Sequence, residues 1–534
     1  MKKSTEVLVI GGGVTGCGVL FDLAQRGFRC LLLERGALSS GTSGRFHGLL
    51  HSGGRYAVRD AGAARECIQE NAILRRIMPQ AIEDTGGLFV ATPWDPPEYA
   101  DRFQRACREV GIPVEEISVA EALHREPLLN PTLQRVFVVP DGSVETWEAC
   151  QSLVDSAAEY GAETMLYHEV TDLLVQKGRV SGATARDVIS GEEVSITCDM
   201  VVNAAGAWGG RIAAMAGCPV TIQAGKGTMV AMNYRLTNTV INRCGPPGDG
   251  DILVPIGTVA AMGTTSVNVP DADNYPIEDW EIQLLLDQGE RLIPSFKKFR
   301  PLRAWAGVRP LYQETQPDPE SEPAGSASDL RQVTRGYALL DHAARDGVDG
   351  LVTITGGKWT TYRLMAEHTV DLVCDRLGTR RACCTASTVL QHNQGGHFFS
   401  LGGRMQQLEG GELDGQLICE CEIVTRPQVA ERLARHAGHI INDLRRDLRL
   451  GMGPCQGGFC SYRVAGIMHE EEALPAREAN KALVDFLQER WKGVTPVLWG
   501  QGLRQLGLDE GIYLGLLGLD KLPPALSGAD AARV

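Results

Sequence analysis

Val7-Leu8-Val9-Ile10-Gly11-Gly12-Gly13-Val14-Thr15-Gly16, with an acidic residue to follow at Glu34, is the stretch whose reading decides the fold. The four apolar residues form a run of the kind a strand buried on both faces shows. Apolar residues at Val14, Cys17, Leu20, Phe21 and Ala24 then recur at helical spacing, and Gly27 supplies the stop. In this strand-turn-helix setting each glycine has its own task. Gly11 permits the tight turn, Gly13 lets backbone approach a pyrophosphate at the helix N-terminus, and Gly16 brings helix close to strand. A second apolar run, Cys30-Leu31-Leu32-Leu33, ends in Glu34, at the distance where a carboxylate accepts hydrogen bonds from a ribose. A dinucleotide site is the consequence, but the fingerprint alone does not separate NAD from FAD.

The residues after Glu34 separate them. An NAD domain would continue with further strand-helix units, whereas Gly36 to Arg45 is a Gly/Ser/Thr-rich segment without helical periodicity, a loop suited to lie along a ligand. With Thr42-Ser43 and then His51-Ser52-Gly53-Gly54-Arg55-Tyr56, the chain resembles the FAD-dependent glycerol-3-phosphate dehydrogenases of the D-amino-acid-oxidase-like flavoproteins. Two later segments repeat the resemblance, each a strand breaking into a small-residue turn: Met200 to Trp208, containing Ala205-Gly206, and Leu351 to Arg363, containing Gly357-Lys358. A helix N-terminus aimed at the flavin would stabilise negative charge on the reduced ring. The resemblance implies FAD bound by Gly11, Gly13, Gly16, Glu34, Arg35, Thr42, Ser43, Val170, Ala205, Gly206, Gly357 and Lys358. It also implies a non-covalent link, since Gly44 and Arg45 stand where covalent relatives carry the attaching residue.

A second chemical signature lies downstream. Cys419-Glu420-Cys421 and Cys455-Gln456-Gly457-Gly458-Phe459-Cys460 make a C-x-C and C-x4-C pairing. Two close pairs on separate turns can converge on one metal centre, and Gly451, Gly453, Gly457 and Gly458 free the backbone to wrap around sulfur. Iron-sulfur fits this spacing; zinc is the structural rival, although zinc ribbons more often use C-x2-C pairs. The segment resembles the 2Fe-2S domain of the bacterioferritin-associated ferredoxin type, which implies Cys419, Cys421, Cys455 and Cys460 as ligands. Among glycerol-3-phosphate dehydrogenases, a flavin domain with this appendix resembles the A subunits of the anaerobic enzymes.

Composition agrees. The chain has 534 residues, 43% of them hydrophobic, so it can bury several cores and should divide into two to four domains. A formal charge of −14 without a Lys/Arg block argues against nucleic acid as a partner. The four strongly apolar residues before the glycine turn are too few for a signal peptide, and fifteen mostly scattered cysteines fit a reducing compartment, so a cytoplasmic location is expected. No apolar run reaches eighteen residues, which leaves peripheral membrane association through partners.

The fold class expected is α/β: a Rossmann-like FAD-binding domain of the D-amino-acid-oxidase type with an inserted α+β substrate domain, plus a small helical, cysteine-rich iron-sulfur domain. The flavin domain would comprise residues 1–82, 150–215 and 335–380, and the substrate domain 83–149 and 216–334. A linker over 381–416, the cluster domain over 417–470 and a C-terminal helical region over 471–534 complete the division. Gln313 to Pro323 reads as a polar, Pro-rich loop, and residues 479–492 as an amphipathic helix with Leu483, Val484, Leu487 and Trp491 on its packed face.

Substrate chemistry follows from cations brought to the flavin. Arg55, Arg309 and Lys358 match, by resemblance, residues that hold substrate in the aerobic enzymes, with Tyr56 beside them; a phosphate dianion in a partly buried pocket needs such fixed charges. The implied reaction oxidises sn-glycerol 3-phosphate to dihydroxyacetone phosphate by hydride transfer to flavin N5. His51 is the candidate base for the hydroxyl proton. Electrons would pass by the 2Fe-2S cluster to partners of the B and C type and on to a quinone, at the cytoplasmic face of the inner membrane. The aerobic branch often carries a His after Lys-Gly-Ser, whereas this chain reads Lys226-Gly227-Thr228-Met229, and His47 offers a second ring near the flavin. A flavin dehydrogenase acting on a 2-hydroxy acid or an amino acid is the nearer rival, and a non-catalytic flavin and iron-sulfur scaffold the more distant one.

Overall fold

The computed structural model describes residues 2–312, 336–391, 400–435, 440–471 and 475–521. The Gln313 to Pro323 stretch lies outside the described residues. At the centre is a six-stranded sheet in the order Glu163–Met165, Cys30–Leu33, Val7–Ile10, Met200–Asn203, Leu351–Gly356, Tyr337–Asp341. Its pairings are parallel except the last. Side chains alternate across a strand, so Val7 and Val9 join the core beneath helices Val14–Gln25, Thr146–Glu159 and Tyr362–Arg376, while Leu8 and Ile10 face the other way. There they meet Leu173, Val180, Ala183 and Ile196 of a four-stranded sheet formed by Lys2–Ser4 and the hairpins of 168–197. Both faces are covered, which is why the continuous apolar runs read as strands.

A nine-stranded sheet draws its strands from two separate parts of the chain. Gly87–Ala91, Glu115–Ile117 and Arg135–Val139 join Ile222–Met232, Val240–Arg243, Ile252–Ile256, Val259–Gly263, Val267–Asn268 and Pro301–Tyr312. The longest pairing, Ile222–Met232 against Pro301–Tyr312, is antiparallel and sets Arg309 opposite Gly225. Helix Asp279–Leu292 covers this sheet through Ile282, Leu285, Leu286 and Leu292.

The C-terminal part is a hairpin, Leu417–Cys419 with Val424–Thr425, enclosed by helices Arg426–Arg435, Ile441–Leu448, Cys460–Glu471, Ala476–Val494 and Gln501–Glu510. Its core includes Ile418, Val424, Leu444, Val464, Met468, Leu483 and Phe486. Two expectations are corrected here. The linker contains a helix, Leu401–Glu409, because Ser400 caps it by accepting the Gly403 N–H at 3.1 Å and Arg404 is buried, donating to the Ile423 carbonyl. Within Ala476–Val494 the buried face is Ala479, Leu483, Phe486, Arg490 and Gly493; Trp491 stands 44% exposed, because Arg490 turns inward to donate to the Gly451 carbonyl at 2.7 Å. No helix among the described residues is long and apolar enough to cross a membrane.

Candidate active site

The glycine turn is built by close approach. Gly11 has φ +112°, and a Cβ there would sit 2.7 Å from the Ala204 carbonyl oxygen, so the turn runs directly beside the end of Met200–Asn203. A Cβ on Gly16 would fall 1.9 Å from the Gly11 oxygen; Gly16 therefore brings helix to turn and does not face the cavity. Ser43 Oγ accepts the Val14 N–H at 3.0 Å, meeting one of the helix's orphan donors. Glu34 accepts from the N–H groups of Gly12 and Gly36 at 2.7 and 2.8 Å. Arg35 lies 4.4 Å over the Trp208 ring and pairs with Asp273, while Thr42 donates to the Val308 carbonyl at 2.6 Å.

These groups open on one cavity of about 1090 Å³, lined by Gly11, Gly13, Glu34, Arg35, Thr42, Ser43, Val170, Ala205 and Gly206 at one end. His51, Arg55, Tyr56, Arg309, Gly357 and Lys358 line the rest. Of the residues singled out in the sequence for flavin and substrate, only Gly16 stays outside the lining. The volume exceeds the roughly 300–1,000 Å³ of ordinary ligand pockets, which suits an extended dinucleotide with a small second molecule. The lining fits FAD: a carboxylate beside the glycine turn, a helix N-terminus, and a glycine turn at Gly356-Gly357, with φ +82° and +74°, leading into Trp359–Thr361 and helix Tyr362–Arg376.

Arg55, Arg309 and Lys358 stand in the lining together with Asp60 and Asp249. Arg55 starts from a short helix, Gly54–Ala57, and donates to Asp251 at 2.7 Å and the Gly248 carbonyl at 3.2 Å. Arg309 donates to the Thr264 hydroxyl and, at 3.0 Å, to the Thr265 carbonyl. Lys358 Nζ lies 5.2 Å from the centre of the Tyr56 ring. His51 is tied by its backbone, donating to Thr360 Oγ1 at 3.0 Å, and its ring centre lies 5.3 Å from that of Tyr56 and 6.4 Å from that of His47. Enclosure in the cavity wall, then the charges of Arg309 and Arg55, hold the His47 imidazole down at about 3, so this ring is neutral. Its Nδ1 faces the Leu49 N–H at 3.3 Å and accepts, which leaves the proton on Nε2.

Lys226, from the departing Lys-Gly-Thr-Met segment, does not line the cavity. It is buried and pairs with Glu281 at 2.7 Å, and the same carboxylate accepts from Thr228 and Thr265. Sequence reasoning missed Asp251, Gly248 and the Thr264 to Ser266 segment. These are common residue types on strands and loops with no local motif, and only the assembled sheet brings them to the arginines.

The four cysteines lie apart from this cavity. Cys460 is the neighbour that lowers the Cys419 thiol most, and Cys421 the one that lowers Cys455 most. The Cys421 partner and then the backbone N–H groups of Gly457, Phe459 and Gly458 bring the Cys455 thiol down to about 6, so the loop favours a thiolate. A Cβ on Gly453 would lie 2.4 Å from Cys421 Cβ, and Gly457 has φ +94°, so both glycines are required by the wrap. Among the described residues the group whose ligand atoms all lie within 4.8 Å of one another is Cys218, His342 and Asp346, and the cysteine quartet is more widely spread than that. There both ring nitrogens of His342 are engaged, by Asp346 at 2.5 Å and Thr353 at 2.8 Å, which makes the trio a buried polar strut.

Comparison with known proteins shows the family and the fold. The family model described as FAD dependent oxidoreductase matches residues 6–363. The chain is 42% identical over 541 residues to the A subunit of the anaerobic glycerol-3-phosphate dehydrogenase of Escherichia coli (strain K12), covering 97% of this chain and 98% of that protein. It is also 42% identical to the A1 subunit of the anaerobic enzyme from Haloferax volcanii, over 99% of this chain and 93% of the relative. The solved glycerol-3-phosphate dehydrogenase from Bacillus halodurans, complexed with FAD, has a TM-score of 0.57 at 21% identity and covers 98% of this chain and 97% of its own; at that identity the likeness speaks to fold.

Proposed function

We infer the function from one premise: the chain belongs to the FAD-dependent oxidoreductases, in the family of the anaerobic glycerol-3-phosphate dehydrogenase A subunits. The reading is an FAD-dependent oxidation of sn-glycerol 3-phosphate to dihydroxyacetone phosphate. The observation that carries it is a single cavity in which the nucleotide fingerprint shares walls with Arg55, Arg309 and Lys358.

FAD, when bound, supplies an acceptor for the hydride from C2 of the substrate. Glu34 would hold its ribose and the N-terminus of Val14–Gln25 its pyrophosphate. Arg55, Arg309 and Lys358 would bind the substrate phosphate, two arginines offering paired donors and the lysine a point charge. His51 would take the hydroxyl proton, and Tyr56 keeps that ring in place from 5.3 Å. In this division the inserted domain (83–149 and 216–334) delivers Arg309, and the flavin domain delivers His51, Arg55 and Lys358.

Cys419, Cys421, Cys455 and Cys460 would hold a 2Fe-2S cluster, which supplies one-electron carriage. The C-x-C and C-x4-C spacing supports an iron-sulfur centre over zinc, whose ribbons more often use C-x2-C pairs. Electrons would leave through partners of the B and C type to a quinone, with the chain held at the cytoplasmic face of a membrane by those partners; the lettered naming of the relatives supports the existence of further subunits.

The test is anaerobic titration watched by visible absorbance. Glycerol 3-phosphate should bleach the flavin, with glycerol far weaker. Bleaching by a 2-hydroxy acid or an amino acid instead, or by no small molecule, would overturn the reading.

A further inference from the structure

The cysteine module and the flavin cavity are joined by buried charge. Arg449, just past helix Ile441–Leu448, is 4% exposed and donates through Nε to Glu422 at 3.0 Å and through Nη1 to Glu145. Glu422 is fully buried, follows Cys421 directly, and also accepts the Thr258 hydroxyl at 2.7 Å. Glu145 precedes Thr146, whose hydroxyl accepts the Trp359 ring N–H at 2.8 Å, and Trp359 lines the cavity. A continuous line of contacts therefore runs from the cavity wall to the residue beside a cysteine of the quartet.

Arg449 also holds a backbone position that chain chemistry reserves for glycine. Its φ is +63°, the left-handed conformation at a helix C-terminus, where a side chain carries a strain glycine would not. The arginine side chain is what that strain is spent on. Neighbouring contacts point the same way: Tyr167 donates to Asp443 at 3.0 Å, Arg300 to the Pro454 carbonyl at 3.0 Å, and Arg445 lies 5.4 Å over the Trp147 ring.

We propose that Arg449 is a positioning residue that clamps the cysteine module to the flavin cavity, so that electrons cross between the two sites through one fixed interface and not by a tethered swing. The inference rests on the reading above that FAD and a 2Fe-2S cluster fill these sites. Each substrate oxidised leaves two electrons on the flavin, and both cross singly; ferricyanide, a one-electron acceptor, takes two equivalents per ketone formed.

Arg449→Met and the milder Glu145→Gln would be made in the full-length holoenzyme, with a protease site engineered at the exposed turn Gly410-Gly411. Stopped-flow absorbance under anaerobic conditions follows flavin bleaching by glycerol 3-phosphate and then reduction of the cluster, before any ferricyanide is added. Bleaching should keep its wild-type rate, while passage onward should slow by about tenfold or more, as misplaced reacting centres do. After cleavage the two fragments should co-elute from a sizing column in wild type and in both variants in plain buffer, and with urea in the running buffer they should separate at a lower concentration in the variants. Unchanged onward transfer in both variants, or fragments that separate at the wild-type urea concentration in both, would overturn the proposal. Zinc in the wild-type quartet would overturn the relay reading and the electron crossing with it, whereas co-elution in urea would still decide whether Arg449 docks the module.

Discussion

Replacing Arg309 by alanine removes a guanidinium that the fold has already oriented. The side chain springs from Pro301–Tyr312, opposite Gly225, and its Nη2 is aimed by the Thr264 hydroxyl and the Thr265 carbonyl at 3.0 Å. Because that ordering is complete before substrate arrives, little of the interaction is lost to freezing the side chain. Cutting a charge-assisted pair in a desolvated pocket costs about 2–5 kcal/mol, and a value inside that range, about 3 kcal/mol, is a fall of about 160-fold in kcat/KM. Gly227→Ala tests the same geometry without touching the charge. Its new Cβ would fall 2.4 Å from Arg309 Nη2, so the guanidinium must move while the strand stays paired. Steady-state kinetics with glycerol 3-phosphate should show both variants losing kcat/KM, with glycerol turnover little changed by either. If Arg309→Ala and wild type oxidise glycerol 3-phosphate alike, the guanidinium belongs to a structural ion pair and the phosphate argument falls.

Glu281→Ala leaves buried Lys226 without its carboxylate, and a loss of about 3–5 kcal/mol of stability is expected, read as a lower urea midpoint; a change within the noise of the assay would contradict the buried-pair reading. His47, held at about 3 when folded, binds fewer protons than the unfolded chain between about pH 6.5 and that value, so it makes stability fall on acidification by at most about 1.4 kcal/mol per pH unit. His47→Gln should flatten the acid limb of urea midpoints measured from about pH 7 to about pH 4.5, and parallel curves for the two proteins would refute this. Cys455→Ser should retain substrate bleaching of the flavin and lose quinone-linked turnover; unaltered turnover sinks the relay. Acid precipitation should release the FAD into the supernatant, and a yellow pellet would show a covalent link.

What was legible in the sequence is what local chemistry announces. The glycine turn, Glu34 and the small-residue breaks after Met200–Asn203 and Leu351–Gly356 are local motifs, and they meet in the cavity because each ends a neighbouring parallel strand. Arg55 and Arg309 could be named, but their partners could not: Asp251 is 196 residues from Arg55, and nothing around it distinguishes it from a surface carboxylate. The helix at Leu401–Glu409 hid in a Gly- and Gln-rich segment because its anchor is tertiary, the burial of Arg404. Trp491 misled for the converse reason. Its hydrophobicity argued for the packed face, but the helix rotates to bury Arg490 against Gly451.

The central sheet has a consequence for how the protein is made. Its strands are drawn from Val7–Ile10 at one extreme and Leu351–Gly356 at the other, and Met200–Asn203 pairs with both. On the ribosome, the first strands emerge long before their last parallel neighbour, and their apolar edges wait unpaired through the synthesis of the inserted sheet. The nucleotide cavity cannot close until residue 365 has left the exit tunnel, because Gly357, Lys358, Trp359 and Met365 form part of its wall. Loading of FAD is thus a late event in biogenesis, and nascent chains halted before that point are clients for chaperones and proteases, with no cofactor to rescue them.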